Sequence, residues 1–306
     1  MSARGIRATG ADAVTGLATA TEIEPRPVPV ATRRRRRLNS VADHTLLILF
    51  AAIFMLPMIF ILLTSLMSDA QSLSPEIWPR PFVWGNYVQI FRQVPLLSYT
   101  WNTTQIAVLS TIGTVLSCVP VAYALSRMEW RGRNAVFVLV LATMMLPFQV
   151  TIIPLYIVFV RLHMIGTLTP LILPAFFGDA FSIFLLRQFF MSIPEEMSDA
   201  ARVDGASEWQ IMTRVIVPLA KPAIAAVALF NFLYAWNDFF GPLLFLGNNP
   251  KLWTLAIGLA EFRTLHKVQW NLTMAASVAF MIPVIILFFL AQKVFIEGVT
   301  LTGTKG

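Results

Sequence analysis

Two carboxylates, Asp179 and Asp238, stand inside apolar stretches long enough to cross a membrane. An acid at that depth is expensive unless it faces a cavity or a partner and not lipid. Around the second acid lie Asn231, Tyr234, Trp236 and Asn237. They offer hydrogen-bond groups for a polar solute and aromatic faces for its apolar side. The chemistry these residue types suggest is recognition, not bond-making. For Asp238 a plainer role, pairing between helices at an outer gate, competes with ligand contact. Gln149, in a third apolar stretch, is explained by a packing hydrogen bond between helices.

Reaction chemistry is nearly absent from the sequence. The three histidines, His44, His163 and His266, fall in different connections and no two have metal-ligand spacing. No GxxxxGK[ST] phosphate loop occurs, so any nucleotide energy has to be supplied by another subunit. Ser110 and Ser117 lie within an apolar stretch without a base partner, where serines serve packing. The single cysteine, Cys118, has nothing in the chain to pair with and reads as a small core residue. The expectation is a chain that is not an enzyme and holds no cofactor or metal of its own.

The elements that must position these side chains are membrane helices. Of 306 residues, 57% are hydrophobic and only 13% charged, against roughly 25% charged in soluble domains. Six segments, 45–66, 106–125, 135–160, 168–186, 222–246 and 272–291, approach or exceed the roughly 20 residues that a crossing needs. Each contains proline, at Pro57, Pro120, Pro147 and Pro154, Pro170 and Pro174, Pro242 and Pro283, and in a bundle such residues are tolerated as kinks. The expected fold is all-α, a polytopic membrane protein with six transmembrane helices over residues 41–306. Residues 1–40, rich in Ala, Thr, Pro and Arg, read as a disordered basic arm with no signal-peptide pattern.

Orientation follows from the basic residues. With the amino terminus inside, the inward segments hold 17 of the 23 Lys and Arg and the outward ones 6, so both termini are expected in the cytoplasm. The net charge of +7 mostly reflects that asymmetry. The five arginines at 33–37 resemble a nucleic-acid patch, yet just ahead of a charge-free crossing they read as a topology anchor and lipid contact. The longest outward connection, near 68–101, places Trp78, Trp84 and Trp101 for the membrane interface.

One polar stretch is too ordered for a loop. Within 192–222, Ser192 followed by Glu195, with Pro194 in the first turn, reads as a helix start. Gly205 reads as a stop, and Ser207 followed by Gln210 as a second start. The sequence therefore predicts a cytoplasmic two-helix hairpin over 192–218, hinged at Asp204 and Gly205 and ended by Pro218.

The run Asp199, Ala200, Ala201, Arg202, Val203, Asp204, Gly205, Ala206, followed by Ile216, Val217, Pro218 and Leu219, resembles the EAA loop of ABC importer permeases. Trp236, Asn237 and Asp238, and Gln292, Phe295, Glu297, Gly298, Gly303, Lys305 and Gly306 in the tail 292–306, continue the resemblance. Together they look like the carbohydrate-uptake branch, the six-span inner-membrane subunit of maltose-type importers, over residues 45–306. The resemblance implies that Asp199, Ala200, Ala201, Asp204 and Gly205 couple the chain to an ATPase. Ala200 and Ala201 would permit close approach, Gly205 the reversal, and Asp199 an ion pair, although the family normally has Glu at that position. It implies as partners a second permease subunit, two ATPase subunits that bind ATP and Mg, and an extracytoplasmic solute-binding protein that delivers a sugar. The setting would be a bacterial or archaeal plasma membrane. No part of the resemblance accounts for Asp179, which makes that acid the better candidate for specificity. A non-sugar solute such as a glycerol-phosphate compound is the alternative cargo. A channel or secondary transporter leaves the hairpin unexplained and shows no inverted repeat, and a bare membrane anchor leaves the buried acids unexplained.

Overall fold

The structure, a computed structural model, describes residues 30–247, 249–263 and 268–302, with side chains described within 43–292. Residues 1–29, His266 and Gly303 to Gly306 lie outside the described residues, so the expectations placed on them are not tested. Among the described residues the chain is helical, with one isolated bridge between Arg263 and Val268.

Helix α1, Val30–Ser65, contains Pro57, where the chain divides into two compact units, residues 1–56 and 57–306. Of the arm expected to be disordered, 1–29 lie outside the described residues and 30–40 fall within α1. In the first unit the described side chains are exposed and mostly apolar, Leu47, Ile48 and Phe54 among them, as suits a helix surrounded by acyl chains.

The second unit takes in the end of α1 and the connection after it, which carries α2, Gly85–Gln93. Asn86 is buried there and donates to the carbonyls of Ser65 and Met67 at 2.8 Å each, satisfying carbonyls at and just past the end of α1. Helix α3, Leu96–Ser126, is longer than the expected 106–125 and is the central post of the unit. The half of α3 toward Ser126 packs with Leu186, Phe190, Ile211 and Ile216. The half toward Leu96 packs through Tyr99 and Ala107 with Trp236, Leu272 and Ala275.

The third expected span is not one kinked rod. It is α4, Arg133–Thr143, and α5, Phe148–Arg161, bent by 95° at a break that precedes Pro147. Proline has no amide hydrogen to give and keeps the residue before it extended, so four polar-backbone residues suffice to turn the chain. The fourth span is α6, Thr169–Ile172, a 3-10 stretch Leu173–Phe177, Gly178 in the left-handed region at φ 93°, and α7, Ala180–Ser192. The hairpin follows as α8, Glu196–Val203, and α9, Glu208–Ile211, which runs through a π turn, Met212–Ile216, into α10, Val217–Leu219.

After Ala220 the axis bends by 79° into α11, Lys221–Asn237. Here too an expectation is corrected. The apolar run 222–246 is broken at Asp238, and α12, Phe240–Phe245, is a separate short helix. Helix α13, Leu255–Glu261, lies in the next connection, and α14, Trp270–Thr302, ends the described chain. Four helices of the described residues are long and apolar enough to cross a membrane, and six spans result when each bent pair counts as one.

Candidate functional site: a cavity lined by two acids and a two-helix hairpin

Helix α11 sorts its residues by face. Asn231, Tyr234, Ala235 and Asp238 recur at i, i+3, i+4 and i+7, which puts them on one stripe. That stripe lines a cavity of about 530 Å³. Ile106, Ser110 and Thr114, four residues apart on α3, form a second wall. The third comes from the broken fourth span, through Pro174, Gly178, Asp179 and Ser182. Four sequence candidates, Asp179, Asn231, Tyr234 and Asp238, therefore meet in one cavity although 59 positions separate the first from the last.

The other two candidates point elsewhere. Trp236 is 1% exposed, stacks on Phe232 at 5.4 Å and donates through Nε1 to the carbonyl of Phe280 at 3.3 Å. Its partners at i−4 and on α14 make it a core residue of the cluster with Tyr99 and Leu272, not a sugar platform. Asn237 is exposed and its amide donates to Leu233 O, one turn back in its own helix, at 2.7 Å. Gln149 is exposed on α5, outside the cavity.

Both acids cap helix breaks. Asp179 is the N-cap of α7, and its Oδ2 accepts from the Ser182 amide at 2.8 Å and the Ser182 hydroxyl at 2.6 Å. Such a cap satisfies an amide that the helix start leaves unpaired. The backbone amide of Asp179 donates to Cys118 Sγ at 3.2 Å, which ties the break to α3. Asp238 Oδ1 accepts from the Gly241 amide at 3.0 Å at the start of α12. A Cβ on Gly241 would stand 2.3 Å from Asp238 Oδ2, so glycine is what allows the carboxylate to fold over the short helix. The cavity is thus bordered by two interrupted spans, and irregular backbone at membrane depth is tolerated where it lines a cavity.

Asn231 is an interhelical clamp. Its Oδ1 accepts from Thr114 Oγ1 at 3.1 Å, and its Nδ2 donates to Ser110 Oγ at 3.3 Å and Thr111 Oγ1 at 3.2 Å. Ser110 serves this clamp, in keeping with its reading as a packing residue. The rings of Phe181 and Phe230, 6.1 Å apart, close the wall beside Tyr234, and Tyr234 itself is exposed. Sequence reasoning missed both phenylalanines. Among 24 phenylalanines neither carries a distinguishing signal beyond its place beside Asp179 or Asn231.

At the other end of α3 stands the hairpin. The expected start at Ser192 is corrected: Ser192 ends α7, its hydroxyl donating to Phe189 O at 2.7 Å, and α8 starts at Glu196 without a side-chain cap. The second start is present as a full capping box, with Ser207 N donating to Gln210 Oε1 at 2.8 Å and the Gln210 amide to Ser207 Oγ at 3.4 Å. Gly205 has φ 82°, the left-handed turn that glycine adopts freely. Pro218 lies inside α10, and the break comes two residues later at Ala220.

Asp199, Ala200 and Asp204 are exposed, whereas Ala201 is half-buried against the cluster of Leu186, Ile211 and Ile216. The two alanines therefore have different jobs. Asp199 pairs within its own helix, Oδ1 accepting from Arg202 Nη1 at 2.8 Å, while Arg202 Nε donates to Glu208 Oε1 at 3.0 Å. The carboxylates, Glu208 foremost, raise the Arg202 guanidinium above its ordinary value and keep it charged. Met197, Val203 and Trp209 leave apolar surface exposed on the hairpin. No group of His, Cys, Asp and Glu suited to a metal ion occurs among the described residues.

Comparison with known proteins agrees with this architecture. The chain is 36% identical over 230 residues to the arabinooligosaccharides transport system permease protein AraQ of Halalkalibacterium halodurans, covering 74% of this chain and 81% of that protein. It is 31% identical over 262 residues to the diacetylchitobiose uptake system permease protein NgcG of Streptomyces coelicolor, covering 84% and 86%. A chain in the crystal structure of a bacterial ABC transporter that imports the acidic polysaccharide alginate superposes with a TM-score of 0.71 at 26% identity, covering 85% of this chain and 97% of that one. Residues 113–300 match the family model described as binding-protein-dependent transport system inner membrane component. With its multi-pass helices, its capped hairpin and that match over more than half its length, the chain belongs to the family of inner-membrane permease components of binding-protein-dependent ABC importers.

Proposed function

We propose that the chain is one of two permease subunits of an importer that moves a sugar or oligosaccharide inward by alternating access. Separate ATPase subunits, which bind ATP and Mg, engage the hairpin α8–α9 on the cytoplasmic side, and an extracytoplasmic binding protein delivers the solute. The observation that carries this reading is the cavity, where Asp179, Tyr234 and Asp238 from two interrupted spans share one space of about 530 Å³ with the apolar rings of Phe181 and Phe230. Hydroxyl-accepting carboxylates beside aromatic faces suit a polyol ring. The carbohydrate names carried by relatives such as AraQ and NgcG support the same cargo class.

The lining also ranks the alternatives. Two carboxylates and no Lys or Arg face the cavity, so a glycerol-phosphate solute would meet like charge in a low-dielectric space, where repulsion is strong. A neutral sugar meets none. The test is uptake into proteoliposomes holding the complete complex. Neutral oligosaccharides should compete for transport, glycerol phosphate should not, and uptake should require ATP. Transport by this chain without an ATPase would overturn the reading, and a preference for the phosphate ester would overturn the cargo.

A further inference from the structure

Three elements wall the cavity, but only two are continuous with the hairpin. The fourth span runs into α8 through α7, and α11 leaves the hairpin at Ala220. Helix α3 has no such covalent link, yet it contributes Ile106, Ser110 and Thr114 to the wall. From the structure we infer that Tyr123 is the positioning residue that makes α3 follow the hairpin, through a chain of hydrogen bonds running Tyr123, Glu208, Arg202, Asp199. This rests on the transport reading above and adds to it the route by which hairpin movement reaches the third wall.

The geometry is specific. Tyr123 is 3% exposed, and its hydroxyl donates to Glu208 Oε2 at 2.6 Å. The other carboxylate oxygen of Glu208, Oε1, accepts from Arg202 Nε at 3.0 Å, and Arg202 Nη1 continues to Asp199 Oδ1 at 2.8 Å. One carboxylate thus bridges α3 and the first helix of the hairpin. Two arginines complete the attachment. Arg127, after the last turn of α3, donates to the carbonyls of Phe190 and Ile193 where α7 gives way to the hairpin, and Arg187 of α7 donates to Leu125 O at 3.0 Å.

Apolar packing of α3 on Ile211 and Ile216 holds the helices together. Packing is non-directional, however, and permits sliding. Hydrogen bonds to charged groups fix register as well as distance. Tyr123 is nine positions after Thr114 in the continuous helix α3, with Pro120 between them, so at about 1.5 Å per residue the helical path from hairpin to cavity is ~14 Å long. A shift at Glu208 thus has one continuous helix along which to reach the cavity wall.

The test uses the complete complex in proteoliposomes with its binding protein, and measures solute moved per ATP hydrolysed together with assembly of the complex by size-exclusion chromatography. Tyr123→Phe keeps the ring and removes the hydroxyl. It should assemble normally and lower the transport-to-ATP ratio about ten-fold, equivalent to ~1.4 kcal/mol of coupling. Glu208→Gln retains an acceptor for the hydroxyl and should keep more coupling than Glu208→Ala. Unchanged ratios in Tyr123→Phe and Glu208→Ala would overturn the inference, as would loss of assembly in place of loss of coupling. A wild-type complex without solute-stimulated ATP hydrolysis would overturn the transport reading and this inference together.

Discussion

Asp179 and Asp238 each cap a helix start while lining the cavity, and substitutions can separate the cap from the proposed contact with solute. Asp179→Asn retains a side-chain oxygen for the Ser182 amide, and Asn caps as well as Asp. Asp179→Ala removes the cap, which costs about 1 kcal/mol. If the charge takes part in solute recognition, Asn should leave assembly intact while raising the solute concentration for half-maximal uptake several-fold, and Ala should impair both. Equal uptake affinity in wild type and Asp179→Asn would restrict the acid to capping. At Asp238 the neighbour is the better probe. In Gly241→Ala the new methyl meets Asp238 Oδ2 at 2.3 Å and Leu171 Cδ2 at 3.1 Å, so the carboxylate is displaced from its cap. Transport should fall sharply even though nothing polar has been removed, and uptake rates in the assembled complex check this.

At the scale of elements, the hairpin turn is the sharpest case. Gly205 at φ 82° cannot be replaced by proline, whose ring holds φ near −65°. Gly205→Pro should abolish coupling while the chain still inserts. Gly205→Ala should assemble, with a left-handed penalty of about 1–2 kcal/mol, visible as a lower thermal midpoint of the purified complex. The capping box at Ser207 and Gln210 and the glycine turn were legible because capping is local chemistry, written in residues three apart. Ser192 was misleading for the same reason. Its sequence carries a start signal, but the apolar face of α7 continues through Phe190 into the core and holds the helix to Ser192 itself. Length and hydropathy found the spans and could not find their breaks. The 95° bend at α4–α5 and the interruption at Asp238 depend on what receives the freed backbone groups, which lies elsewhere in the chain. The cavity was half legible. The period of α11 collects Asn231, Tyr234 and Asp238, but which side of α11 meets α14 decided that Trp236 is core, and no local pattern encodes that contact.

For the molecule as a whole, the strongest expectation still to be measured is which way it faces. The inward segments carry 17 of the 23 basic residues, so the hairpin should be cytoplasmic and the connection with α2 outside. The chain is well suited to a direct test, since its one cysteine, Cys118, is fully buried and should be silent toward a membrane-impermeant maleimide. Asp204, exposed at the hairpin turn, and Leu73, 66% exposed in the connection that carries α2, supply the reporters. Asp204→Cys should be labelled in inside-out vesicles and protected in intact cells, and Leu73→Cys the reverse. Addition of the ATPase subunits to inside-out vesicles should then slow labelling at Asp204→Cys, because the apolar side chains beside it, Val203 and Trp209 at 88% and 68% exposure, are the surface a partner would cover. Labelling of Asp204→Cys from outside the cell would reverse the topology and remove the hairpin from reach of any cytoplasmic ATPase. Labelling from inside at a rate indifferent to the ATPase would preserve the topology and move the docking surface away from the turn.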